Sequence, residues 1–172
     1  MSLEDAAVTL LRGQVLGIVV GTGFVVVGLA AFVMAAARRR SGVRVLAWVG
    51  AWSALYGVQE LCRSTAVVAA LPSSLRGAVP FVSVTLSYLL LVVGALVWLE
   101  LTRGAVRMLL VAGAAIAVAI AAAGVGQFVL TGEPHALSGA NNALAVLLLL
   151  LLVTVVAVPR LAEGYLVLPH RG

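Results

Sequence analysis

Apolar residues fill five long stretches of the chain, 14–37, 45–63, 80–101, 106–130 and 143–158, and each is separated from the next by arginine, glycine, proline, serine or asparagine. A hydrocarbon core of roughly 30 Å is crossed by about 20 residues of helix. The pattern therefore predicts an all-α fold, a polytopic transmembrane helical bundle of five spans forming one domain. The breaks set the ends of the spans. Arg38-Arg39-Arg40 with Ser41-Gly42 closes the first, and 102–107 is a tight turn. The segment 64–79, with Pro72-Ser73-Ser74 and Arg76, has room for a short surface helix before Pro80 opens the third span as a first-turn proline. The loop TGEPHALSGANN is the most polar stretch, with Asn141 and Asn142 expected to cap the fifth span. Pro159-Arg160 ends that span. The tail LAEGYLVLPHRG is apolar enough to lie on a membrane surface or to begin a further span, although the few residues before Pro169 do not cross a bilayer.

The second span breaks the apolar rule. Trp48, Trp52, Tyr56, Gln59, Glu60 and Arg63 follow one another at helical spacings and share one face. An ionisable group costs about 2.5 to 3.5 kcal/mol at the centre of a span, so this face is expected to look into the bundle. Two readings follow. In one, Glu60 and Arg63 pair and the stripe is an interhelical lock at the outer rim. In the other, the stripe lines an outward-opening pocket: Arg63 meets an anionic or polar ligand, Gln59 and Glu60 orient it, and Trp52 and Tyr56 form the wall. Ser83, Ser87 and Tyr88 on the third span are the candidates facing them. Spacing leaves both readings open. Gly13, Gly17 and Gly21 recur every four residues on the first span and read as a packing surface. Trp48 and Trp98 suit an aromatic belt, and Glu100 and Arg103 suit a surface pair.

Composition sharpens the membrane reading. The chain is 63% hydrophobic and 10% charged, with a mean hydropathy of +1.20. All 11 basic residues are arginine, and the net charge is +5. No basic run is long enough for a nucleic-acid arm, so the charge is read as topology. With the N-terminus outside and the C-terminus inside, Arg38, Arg39, Arg40, Arg44, Arg103, Arg107, Arg160 and Arg171 are cytoplasmic, and only Arg12, Arg63 and Arg76 are outside. The N-terminus begins with two acids and lacks the basic start of a signal peptide, so the first span is read as retained.

Several chemistries lack their residues. Without lysine there is neither a retinal Schiff base nor a phosphate-binding loop of the GxxxxGK form. A single cysteine, Cys62, and two separated histidines, His135 and His170, give no internal disulfide and no metal-ligand spacing. His135 is read as a solvated loop residue. No catalytic motif, metal site or cofactor is expected within the chain, and no internal repeat points to an inverted-repeat transporter.

The run RRRSGVRVLAWVGAWSALYGVQELCRS, followed by a proline-bearing loop and a helix ending near Trp98, resembles the N-terminal multi-helix membrane sensory region of bacterial histidine kinases and membrane serine phosphatases. In that group an arginine cluster precedes a W-x-G-x-(F/W)-x-x-L-Y-G pattern, here Trp48, Gly50, Trp52, Leu55, Tyr56 and Gly57. The resemblance covers about a third of the chain. It implies a module in the bacterial cytoplasmic membrane that receives an extracytoplasmic or membrane-borne signal. The partners implied are membrane lipid, a small polar or anionic ligand, a second copy of the chain, and a cytoplasmic signalling domain in cis or in trans. The group often has about seven spans and an output domain, so continuation past Gly172 is expected. The rival classes are a small transporter or channel subunit and a non-catalytic assembly subunit.

Overall fold

The computed structural model describes residues 3–37, 43–134, 136–158 and 165. The expectations for Arg38–Arg40, His135, Arg160 and Arg171 lie outside the described residues. Those residues form seven helices and no strand: α1 (Leu3–Ala37), α2 (Val43–Arg63), α3 (Thr65–Ala70), α4 (Ser73–Arg76), α5 (Val79–Leu101), α6 (Gly104–Thr131) and α7 (Ser138–Ala157). Four of these, α1, α5, α6 and α7, are long and apolar enough to cross a membrane. Helix α2 is also 21 residues long, but it carries the polar stripe and is less apolar than the other four.

Helices α1 and α2 run antiparallel at backbone contact. Along α1 the buried positions Gly21, Gly28 and Ala35 recur every seven residues, with Ala31 buried between the last two. On α2 the matching positions are Gly50 and Gly57. A Cβ on Gly28 would stand 2.6 Å from the carbonyl oxygen of Gly50, and one on Gly57 would overlap the carbonyl oxygen of Gly21. A seven-residue repeat holds one seam in register along a pair of helices, and hydrogen in place of a side chain lets the backbones meet. Of the three glycines expected to form the packing surface, only Gly21 lies in this seam. Added side-chain atoms at Gly13 and Gly17 would meet nothing within 4 Å.

The remaining helices continue the up-and-down order. Helix α5 lies between α2 and α6, and α7 packs mainly on α6. Their shared core is aliphatic, built from Val106, Leu110, Leu148, Leu152 and Val155. The outward faces carry exposed Val19, Val27, Val33, Met108, Leu147 and Leu150. In water such faces would be an unstable surface; against lipid they are the expected one.

The connections follow from local chemistry. Ser64 ends α2 and caps α3, its Oγ accepting from the Val67 backbone N–H at 3.5 Å. Arg76 donates to the carbonyls of Ala69 and Leu71 at 2.8 and 3.0 Å, satisfying the open end of α3. Pro80 occupies the first turn of α5, as its missing N–H requires. Gly132, at φ 73°, closes α6, its N–H bonding the Phe128 carbonyl at 2.8 Å. At the opposite end the Arg103 N–H donates to the Tyr165 carbonyl at 2.8 Å, so Tyr165 sits against the α5–α6 turn.

One boundary differs in a way that matters. Helix α7 begins at Ser138, with Leu137 as its N-cap. Asn141 and Asn142 are therefore inside the helix and not its caps. Helix α7 has 20 residues and α6 has 28, and Leu148 sits directly over Gly113. For antiparallel helices this brings the start of α7 level with about residue 123 of α6. Helix α6 then overhangs its neighbour by roughly 12 Å at 1.5 Å per residue.

Candidate functional site

The stripe on α2 is divided by its neighbours into three parts. At the C-terminal end of α2, Arg63 Nη1 donates to Glu60 Oε1 at 3.0 Å. The arginine side chain is 59% exposed and the glutamate 21%. This is a pair within one helix at the rim, where water screens it. Below it, Gln59 is only 4% exposed and donates through Nε2 to Ser87 Oγ on α5 at 2.7 Å. The Ser87 hydroxyl in turn donates a hydrogen bond to the Ser83 carbonyl at 2.8 Å. The link between helices is thus this neutral relay, with no part taken by the Glu60–Arg63 pair. A buried amide with a short hydrogen bond is satisfied at no desolvation cost for charge.

Aromatic residues form the third part. Tyr56 stacks on Trp52, with ring centroids 5.6 Å apart and planes 9° apart, and meets Phe24 of α1 edge-on at 5.0 Å. Tyr56 therefore packs against α1. Tyr88 turns the other way: it is 3% exposed, and its ring packs on Gly124 of α6. The eight candidate residues are not gathered around one outward-opening pocket. Gln59, Ser83 and Ser87 are brought together, Trp52 and Tyr56 stack beside them, Glu60 and Arg63 sit at the rim, and Tyr88 belongs to the α5–α6 seam.

Space for a ligand lies deeper. A groove of about 540 Å³ runs over α5 between α2 and α7. Two of the candidates, Trp52 and Ser87, line it, together with Leu91, Gly94 and Trp98 of α5 and with Asn141, Ala145 and Leu148 of α7. Gly94 deepens its floor, and the indole nitrogen of Trp52 lies over that glycine. No charged residue lines it. The groove exists because α7 stands against α6 and leaves the α2-facing side of α5 partly uncovered. No known protein family, curated protein sequence or solved structure matches the chain. Function has to be read from the groove and the helices around it.

Asn141 is the feature of this groove that the spacing of residues does not reveal. It is 8% exposed, and its Oδ1 has no hydrogen-bond partner. Its place beside the polar loop makes it look like a cap. The available signal was its phase: Asn141, Leu148, Leu152 and Val155 recur on the inward face of α7. Among the described residues no group of three histidine, cysteine or acidic side chains is placed to hold a metal ion.

Proposed function

We propose that this chain is a membrane-embedded input module of a bacterial signalling protein, and that it receives a membrane-borne signal in the groove between α2, α5 and α7. The observation that carries this reading is an apolar cavity of about 540 Å³ with a few polar groups in its wall, at the depth of the bundle. That is the usual construction of a small-molecule site. The proposal includes five spans. Helix α2, at 21 residues, is about 31 Å long and lies between α1 and α5 with Gln59 turned inward.

Orientation rests on arginine. The antiparallel order puts Arg12, Arg63 and Arg76 at one end and Arg44, Arg103 and Arg107 at the other. The sequence reading assigns Arg38–Arg40, Arg160 and Arg171 to the second side as well, and on that arginine excess we take it as the cytoplasmic one. Signal reception at the groove would bias the packing of α7 against α5 and α6, and a cytoplasmic signalling domain in cis or in trans would read that change. The resemblance of 38–98 to the sensory regions of histidine kinases and serine phosphatases points the same way. A transport path needs polar groups through the whole depth, and the α6–α7 core of Val106, Leu110, Leu148, Leu152 and Val155 offers none.

The test is genetic. A deletion strain is complemented with the wild type or with A145F, which fills the groove, and transcription is followed after perturbation of envelope lipids. Restoration by the wild type but not by A145F is expected. An unchanged transcriptional response in the deletion strain, accompanied by loss of uptake of a solute, would overturn the sensory reading in favour of transport.

A further inference from the structure

An amide inside a hydrocarbon-embedded bundle needs a reason. With Leu148 over Gly113, Asn141 comes level with about residue 120 of α6, roughly 16 Å below the outer end of that helix. Its Oδ1 atom is closed off from water, so solvent does not complete its hydrogen bonds. An unsatisfied polar group there is costly, and a leucine on the same face would pack without that cost. Asn141 nonetheless stands in the wall of the groove, 8% exposed, with its Oδ1 unpaired. Unlike Gln59, which Ser87 satisfies, Asn141 has no partner among the described residues of the bundle that explains its place there.

We infer that the groove binds a neutral, single-chain amphiphile whose hydroxyl pairs with the Asn141 carboxamide while its hydrocarbon chain lies along Leu91, Gly94 and Leu148. This rests on the proposed role of the groove and names its ligand class. Three observations select that class. The carboxamide both donates and accepts, as a hydroxyl does. No charged side chain lines the groove, so a carboxylate or phosphate would enter it unpaired. The remaining wall is almost wholly aliphatic and aromatic, and it runs from Ser87 to Trp98, about 16 Å along α5. The Trp52 indole nitrogen lies over Gly94 on the α2 side of the groove, so the polar atoms of the lining stand on both sides of the chain path.

Photolabelling of the full chain in lipid nanodiscs with a diazirine-bearing hexadecanol tests this. Crosslinks are expected on α5 and α7 within the groove, and unlabelled hexadecanol should compete about tenfold better than hexadecanoate or hexadecane. N141L should weaken hexadecanol competition about tenfold while remaining at least as heat-stable as the wild type. A145F, which keeps Asn141 but fills the space, should abolish groove labelling. Labelling spread evenly over the lipid-facing sides of α1 and α6, or N141L competing like the wild type, would overturn the inference. So would a cysteine crosslink between two copies at position 145, which would give the groove to a second chain. Because the assay reads binding alone, its failure alongside an A145F strain that no longer responds would remove this ligand and keep the sensory reading. Specific labelling in a protein without any transcriptional role would do the reverse.

Discussion

Replacing Gly28 by alanine probes the contact that holds α1 to α2. An alanine Cβ at this position would lie 2.5 Å from the Ala54 nitrogen, 2.6 Å from the Gly50 carbonyl oxygen and 2.9 Å from the Ala54 Cα. All three are backbone atoms, so no side chain can rotate out of the way. Ordinary contact begins near 3.4 Å, and the helices must part by about 0.9 Å at this point. A gap of 0.5 to 1 Å forfeits a quarter to a half of the dispersion energy of the atoms it separates. Overpacking of this kind costs roughly 1 to 3 kcal/mol. Alanine returns at most about 1 kcal/mol through its better helix propensity. The expected net loss is up to about 2 kcal/mol against the wild type and about 1 to 3 kcal/mol against a glycine-to-alanine change that meets no neighbour. Gly17→Ala is the control, since a Cβ there meets nothing within 4 Å and only the propensity gain remains. Unfolding by sodium dodecyl sulfate in mixed micelles, followed by far-UV circular dichroism, compares the two. G28A combined with G57A should lose less than the sum of the single changes, because one displacement of the helices relieves both overlaps. A G28A protein as stable as G17A would refute the backbone-contact seam.

The Gln59–Ser87 bond should be asymmetric under mutation: S87A leaves a buried amide donor unpaired and costs about 1 to 3 kcal/mol, while Q59L removes the donor itself and costs about 1 kcal/mol or less. Thermal unfolding in detergent checks the order, and equal losses would contradict it. For the rim pair, R63A is expected to change stability by under about 1 kcal/mol, with no recovery on adding E60Q, since the guanidinium is more than half exposed. A large loss rescued by the double change would return the interhelical lock to Glu60 and Arg63. In a Cys62-free background, A136C is expected to react with an impermeant thiol reagent only from outside and A105C only from the cytoplasm; the opposite pattern would invert the topology.

The helices themselves were legible along the chain, because length, apolarity and capping residues act locally. The expected spans 14–37, 45–63, 80–101 and 106–130 end within two residues of α1, α2, α5 and α6, apart from the start of α1. The inward phase of Gln59 followed from helical periodicity and the cost of polar groups in hydrocarbon. What each residue meets was decided by packing. The seam between α1 and α2 uses Gly21, Gly28, Gly50 and Gly57, whose seven-residue spacing is visible in each helix, but which backbone each glycine meets is not. Tyr88 and Ser87 are neighbours on α5, yet one faces α6 and the other α2, since adjacent helical residues point about 100° apart. Asn141 is the clearest case. Periodicity gives its face, but its depth depends on where along α6 the helix α7 sits, and that offset is set by Leu148 filling the space over Gly113. Register between helices is a property of two surfaces that interlock, so it exists only once both have met.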